Sequence, residues 1–129
     1  MRVRVLAMAA WLTLLAAEPD AAAQNLTPHF VGWERYFSVT WETSEWRGRP
    51  YLSGYILNQY GATATRVQLL VDGFDSSGQV VAQRVEWLGS TVPGFSRTYF
   101  EIPIPGPASS YRVRVFAFDF LQAALLEAP

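Results

Sequence analysis

The stretch that decides the fold is Thr65–Trp87, which reads TRVQLLVDGF, then DSSG, then QVVAQRVEW. Both arms are rich in β-branched and aromatic residues, which is typical of strands. Asp75 suits the first position of a type I turn, because its carboxylate can accept a hydrogen bond from the backbone two residues on. Gly78 suits the left-handed position that closes such a turn. The stretch therefore predicts a β-hairpin.

Upstream of this hairpin, the sequence predicts two more strands. The first covers Arg35–Thr43, where apolar and polar residues alternate. Ser44–Pro50 is polar and predicts a connecting loop. The second strand covers Tyr51–Asn58, and Gly54 within it indicates a bulge or a close approach of another backbone. The predicted core side chains of this region are Trp33, Phe37, Val39 and Trp41.

Downstream of the hairpin, a loop and two strands complete the pattern. Leu88–Phe95 is the loop, with Pro93-Gly94 suited to the two central positions of a type II turn. Arg97–Ile104 is a strand whose prolines remove ladder donors, so we expect its far end at a sheet edge. Tyr111–Phe120 is the last strand.

The pattern as a whole predicts an all-β fold. Six to seven strands alternate with turn signals every eight to twelve residues, and no amphipathic helix separates the strands. This arrangement is typical of an antiparallel β-sandwich, whose two sheets enclose the aromatic residues. We therefore expect a single immunoglobulin-like sandwich over residues 24–120, followed by a C-terminal tail over residues 121–129.

The N-terminus predicts a cleaved signal peptide. Arg2 and Arg4 precede an apolar run, Val5–Ala17, which is shorter than the roughly 20 residues of a membrane-spanning helix. Small residues at Ala21–Ala23 follow, as at a signal-peptidase site. We expect cleavage after Ala23 and a location outside the cytoplasm, either periplasmic or secreted. An uncleaved anchor is the alternative.

The composition excludes several classes of function. The formal net charge of −1 argues against a nucleic-acid partner, which needs a basic face. The chain has no cysteine, which excludes disulfides, thiolate catalysis and zinc–thiolate sites. All the basic residues are arginines. No cofactor-binding motif is present, and we expect no cofactor.

Several stretches resemble FxLYD-type domains. Gly54–Gly61 resembles their G-x-V-x-N-x-x-G strand and turn, and Val71–Val81 resembles their signature strand and D-x-x-G-x-V-V turn. Of the signature positions themselves, only Asp75 agrees. Pro93-Gly94 followed by Phe100–Ile102 is similar to the closing P-G … F-x-I. The resemblance implies an immunoglobulin-like sandwich, similar to late-embryogenesis-abundant type 2 domains, on bacterial exported proteins. It implies no catalytic residues.

Residues that could do chemistry are sparse. His29 is the sole histidine. A general base must be held rigidly against its nucleophile, and a position so near the predicted mature N-terminus is poorly suited to this. We expect it to be exposed or on an edge. Asp72 and Asp75 flank the hairpin tip and could contribute to a calcium site, but a turn-forming Asp75 and a solvated Asp72 are the favoured interpretation. The acids show no spacing that singles out a glycosidase pair. We expect no enzyme.

The best candidate for binding is a short run after the first strand. Trp46 lies in the polar segment Glu42–Arg49, where we expect a loop. Trp, Tyr and Arg are the typical anchors of protein interfaces. The candidate contact patch is therefore Trp46, Arg47, Arg49 and Tyr51.

Three hypotheses follow for the function. The first is a non-enzymatic exported module that binds another envelope protein, through the patch or by strand addition to a sheet edge. The second is a carbohydrate-binding module in which exposed aromatic residues stack on sugars. The third, a small hydrolase, has the least support because its only histidine is poorly placed.

Overall fold

The computed structural model describes residues 25–121 and is all-β apart from one short 3₁₀ turn at Trp33–Arg35. The predicted signal peptide lies outside the described residues, as does the tail beyond Leu121. The six strands are β1 Phe37–Trp46, β2 Arg49–Asn58, β3 Ala64–Phe74, β4 Val80–Trp87, β5 Arg97–Pro103 and β6 Ser110–Phe120. The strand count agrees with the prediction of six to seven.

The strands form two antiparallel sheets of three strands each. The first sheet has the order β1-β2-β5 and the second has the order β4-β3-β6. The first two strands thus share a sheet with the fifth, while the third pairs with the sixth, as in immunoglobulin-like sandwiches. The prediction of an all-β sandwich is confirmed.

The core lies between the two sheets and is mainly aliphatic. Leu52 and Ile56 of β2 face Val67, Leu69 and Val71 of β3 across it, and all five side chains are almost fully buried. The remaining members of the buried cluster are Trp33, Phe37, Ala64, Val92, Phe100, Ile102, Val113 and Val115. Trp33 and Phe37 are therefore core residues, as predicted.

The central hairpin forms as its sequence predicts. The Asp75 carboxylate accepts hydrogen bonds from the Ser77 amide and hydroxyl and from the Gln79 amide, at 2.7–2.9 Å. Stabilisation of the charged form by these bonds, led by that of Ser77, lowers the Asp75 pKa. Gly78 has φ 89°, the left-handed conformation that glycine adopts without strain.

The turn in the loop between β4 and β5 differs from the prediction. The turn after Pro93 is shifted by one residue: the Ser96 amide donates to the Pro93 carbonyl, so Gly94 and Phe95 are its central residues. Phe95 takes the left-handed position with φ 55°. Glycine is necessary at position 94, because a Cβ there would come within 2.5 Å of the Gly61 carbonyl oxygen.

A bulge in β6 changes which of its aromatic residues enter the core. Gln68 pairs with Ala117 but Leu69 pairs with Val115, so β6 has one extra residue, Phe116. Such a bulge reverses the alternation of faces beyond it. Phe118 therefore packs against the core instead of sharing the outer face with the arginines of β6, which the strict alternation of the sequence predicts.

The start of β6 is tied to the loop before it by Tyr111. Its hydroxyl donates to the Gly106 carbonyl at 2.7 Å, five residues upstream. This is the geometry of the tyrosine corner found at the same place in immunoglobulin-like sandwiches. The Tyr111 carbonyl also accepts the indole N–H of Trp41 at 3.1 Å, which connects β6 to β1 of the other sheet.

We expect Tyr111→Phe to lower the free energy of unfolding by about 1 kcal/mol, because it leaves the Gly106 carbonyl without its hydroxyl donor. Urea unfolding measures the change. Tyr99→Phe is the matched control, since the Tyr99 hydroxyl donates to Glu101 on the exposed surface. We expect the control to cost about 0.5 kcal/mol or less. Equal effects of the two substitutions would contradict a structural role for the corner.

Candidate functional site

The predicted loop at Ser44–Pro50 is wrong: the segment is the tip of a β-hairpin. β1 continues to Trp46, β2 begins at Arg49, and Trp46 pairs with Arg49. The two turn residues both have positive φ, 52° at Arg47 and 77° at Gly48, as type I′ turns require. The strand was hidden in the sequence because both of its faces are solvated near the tip, so apolar residues do not alternate there.

The hairpin brings the four predicted contact residues together. We call Trp46, Arg47, Arg49 and Tyr51 the hairpin patch. The Trp46 side chain is 62% exposed, and the guanidinium carbon of Arg47 lies 4.5 Å from the centroid of its ring. Trp46, Arg49 and Tyr51 line one groove of about 240 Å³, whose other wall is β5 with Glu101, Ile102 and Pro103.

The patch continues into a second groove on the same outer face of the first sheet. Leu52 and Ile56 of β2 face the core, so the odd-numbered residues of β2 face outward. Tyr55 pairs there with Thr40 on one side and with Tyr99 on the other. We call this groove of about 370 Å³ the tyrosine groove; its lining residues are Thr40, Trp41, Glu42, Ser53, Gly54, Tyr55 and Tyr99.

Electrostatic contacts hold the tyrosine groove in place. The Tyr55 and Tyr99 rings meet edge to face, with centroids 5.4 Å apart, and the Arg97 guanidinium carbon lies 4.1 Å from the Tyr55 centroid. The Tyr99 hydroxyl donates to the Glu101 carboxylate at 2.9 Å. This hydrogen bond raises the pKa of the Tyr99 phenol, because it stabilises the protonated form.

Sequence reasoning missed the contribution of β5 to this face. Tyr99 and Glu101 alternate with the buried Phe100 and Ile102, so the period of two already placed them on the outside. What the sequence could not supply was the neighbour of β5. Only the pairing of β5 with β2 puts Glu101 beside Ser53 and Tyr99 beside Tyr55.

Trp41, predicted as a core residue, borders the tyrosine groove and is 37% exposed. It pairs with Gly54, which offers no side chain to pack against. Gly54 is required there because a Cβ would lie 1.8 Å from the Thr40 carbonyl oxygen, the close backbone approach that the sequence predicted. The indole N–H instead donates to the Tyr111 carbonyl of the second sheet, so the side chain lies between the two sheets and stays partly exposed.

Asp72, predicted to be solvated, is fully buried. It lies on the central strand β3, where it pairs with Gln83 of β4 and Arg112 of β6. Its carboxylate accepts hydrogen bonds from Gln83 at 2.7 Å, from Arg112 at 3.1 Å and from Arg114 at 3.0 Å. Three donors from two flanking strands satisfy a charge that burial alone would make costly.

The Asp72 network also fixes the segment that precedes the sandwich. The Gln83 side chain accepts from the Leu26 amide at 2.8 Å and donates to the Leu26 carbonyl at 3.0 Å. Farther along, the His29 amide donates to the Phe116 carbonyl at 2.9 Å. Residues 25–29 therefore run across the outer face of the second sheet from β4 to β6.

We expect Asp72→Asn to lower the free energy of unfolding by about 2–3 kcal/mol, since it removes the carboxylate that two arginines share at a buried position. Chemical denaturation provides the measurement. The control is Asp119→Asn, because Asp119 forms an exposed ion pair with Arg66 and exposed pairs contribute about 0.5 kcal/mol. A loss no larger than that of the control would show that the network does not support the fold.

The other residues considered for chemistry have structural contacts. The exposed His29 ring packs on Phe116, with centroids 4.3 Å apart. The Asp75 carboxylate accepts hydrogen bonds from Ser77 and Gln79 of its own turn. Within residues 25–121, no three His, Cys, Asp or Glu side chains lie close enough together to hold a metal ion. The same residues include no helix that is both long and apolar enough to cross a membrane.

Comparisons of the chain with protein-family models, curated proteins and solved structures return no match. The FxLYD-type resemblance therefore stays a prediction from motifs. The two grooves on the outer face of the first sheet are the surface features that bear on function.

Proposed function

We propose that this chain is a non-enzymatic exported module that binds another envelope protein through the hairpin patch. The observation that carries the proposal is the exposed Trp46 ring, with Arg47 stacked on it and Arg49 and Tyr51 beside it in one groove. Indole and guanidinium groups bind partners by stacking and by hydrogen bonding.

The physical features of the patch match those of interface hot spots. Such sites concentrate Trp, Tyr and Arg around a pocket that a partner side chain can fill. A two-residue turn and paired strands hold the patch, so few conformations are lost when a partner docks. Glu101 on the far wall and Arg49 both line the groove, so both signs of charge are available to orient a partner.

A specific observation also favours the carbohydrate alternative. The tyrosine groove combines aromatic rings with the hydroxyl of Thr40 and the carboxylate of Glu42, which are suitable groups for stacking on a sugar and for accepting its hydroxyl hydrogens. A guanidinium nevertheless lies over the rings of both Trp46 and Tyr55. One stacking surface of each ring is therefore occupied, and this favours the protein partner.

The test of the proposal compares Trp46→Ala with Trp87→Ala. Trp87 lies on the second sheet, outside the hairpin patch, and is 59% exposed in the single chain, so it controls for the loss of a tryptophan elsewhere on the surface. Both variants are used to capture partners from an extract of the producing cell's envelope. We expect Trp46→Ala to weaken capture of a discrete protein about 30-fold, which corresponds to the loss of one hot spot, and Trp87→Ala to leave it unchanged.

Capture that survives Trp46→Ala, or that falls equally in both variants, would overturn the hairpin patch as the binding site. The carbohydrate alternative predicts a different result. Soluble polysaccharides would then change the tryptophan fluorescence of the chain, and Tyr55→Ala would abolish the change. Binding of a polysaccharide without capture of any protein would replace the first proposal with the second.

Export is a separate part of the proposal and has its own test. The basic start, apolar run and small residues of positions 1–23 support it. We expect the protein purified from its native compartment to begin at Gln24, because Ala21–Ala23 supplies the cleavage site. Mass spectrometry of the intact protein gives the N-terminus. A chain that retains residues 1–23 and stays with the membrane would show an uncleaved anchor instead.

A further inference from the structure

We propose that the free edge of β4 pairs with the β4 edge of a second copy, so that two second sheets join into one antiparallel sheet of six strands. The surface is on the opposite sheet from the hairpin patch. The inference is therefore independent of the proposed partner, and either can fail without the other.

On the side away from β3, the backbone of β4 has N–H and C=O groups that another strand can pair with. Among residues 25–121, β4 pairs on one side only, with β3. The Leu88 amide donates to the Val67 carbonyl at 2.9 Å, which sets the phase of the ladder. Because antiparallel hydrogen-bonded pairs alternate, Gln83, Val85 and Trp87 direct their N–H and C=O groups away from β3. These groups form the edge.

The edge lacks the usual devices that prevent pairing. β4 reads VVAQRVEW, with no proline and no lysine. Its exposed side chains include Val81 and Trp87, which are 52% and 59% exposed. The edge of β5, by contrast, contains Pro103, which has no N–H to donate. β4 therefore offers an edge on which a second strand can be added with a full ladder.

Charge complementarity selects a second copy of the same strand as the partner. Arg84 and Glu86 lie on one face of β4 and form an ion pair within the chain. If a two-fold axis passes through Val85, Arg84 of each copy lies directly opposite Glu86 of the other. Opposite charges at directly paired positions stabilise a sheet, and like charges destabilise it. The same register places Trp87 opposite Gln83, so the exposed indole is covered.

This arrangement is an isologous interface, in which each copy contributes the same surface and the pairing closes on itself. It uses all the outward groups of Gln83, Val85 and Trp87. It also leaves the Gln83 side chain with its present partners, because the pairing uses the backbone of Gln83 and not its amide side chain.

The first experiment measures the mass of the full chain in solution by sedimentation velocity. We expect twice the mass of one chain. Arg84→Glu alone and Glu86→Arg alone each place like charges opposite one another, so each is expected to give monomers. An equimolar mixture of the two single variants restores opposite charges at both positions, and we expect it to form the mixed dimer.

Cross-linking tests the register directly, since the chain has no cysteine of its own. In the proposed register the two copies of residue 85 form a hydrogen-bonded pair with Cα atoms about 5.5 Å apart, which is within disulfide range. We expect Val85→Cys to form a covalent dimer on mild oxidation. Val81→Cys is the control on the same strand, because its two copies would lie about 26 Å apart along the strands.

A wild-type chain that sediments as a monomer throughout the micromolar range would overturn the proposal. So would a dimer that persists in both single charge variants, because it would use another surface. A dimer that cross-links as readily through Val81→Cys as through Val85→Cys would refute the register. Circular dichroism of each variant shows that it remains folded, which separates loss of pairing from loss of structure.

Discussion

The structure depends on β3, the strand that is covered on both faces and paired on both edges. Its inner side chains, Val67, Leu69 and Val71, meet the first sheet, while Leu70 and Asp72 on the outer side are also fully buried. A strand buried on two faces must satisfy every polar group within the protein. Asp72 meets this demand through β4 and β6, so one carboxylate couples all three strands of the sheet to one another.

Most of the fold could be predicted from the sequence, because short-range signals determine it. The turn at Asp75 and Gly78 and the alternation in β5 are local consequences of backbone geometry. The faces of β6 could not be predicted, because a single extra residue at Phe116 reverses them and nothing in the local sequence marks the bulge.

The site was predictable by residue type but not by geometry. Exposure of Trp46 could be inferred from its polar neighbours, yet the same polarity concealed the strand that holds it. Trp41 and Asp72 were assigned to the wrong environments because each depends on a distant partner. Trp41 reaches Tyr111, 70 positions away, and Asp72 reaches Arg114, 42 positions away. Propensity carries no information at such separations.

The pairing of β3 with β6 has a consequence for the order in which the chain folds. The β1–β2 and β3–β4 hairpins close over short turns, whereas Leu69 must find Val115 across two intervening strands. Long-range pairing pays loop-closure entropy before it gains contacts, which makes it the slow step. Until β6 arrives, β3 has one open edge and Asp72 lacks both arginines. Pairing of the last strand therefore closes the open edge of β3 and supplies both arginines to Asp72 at the same time.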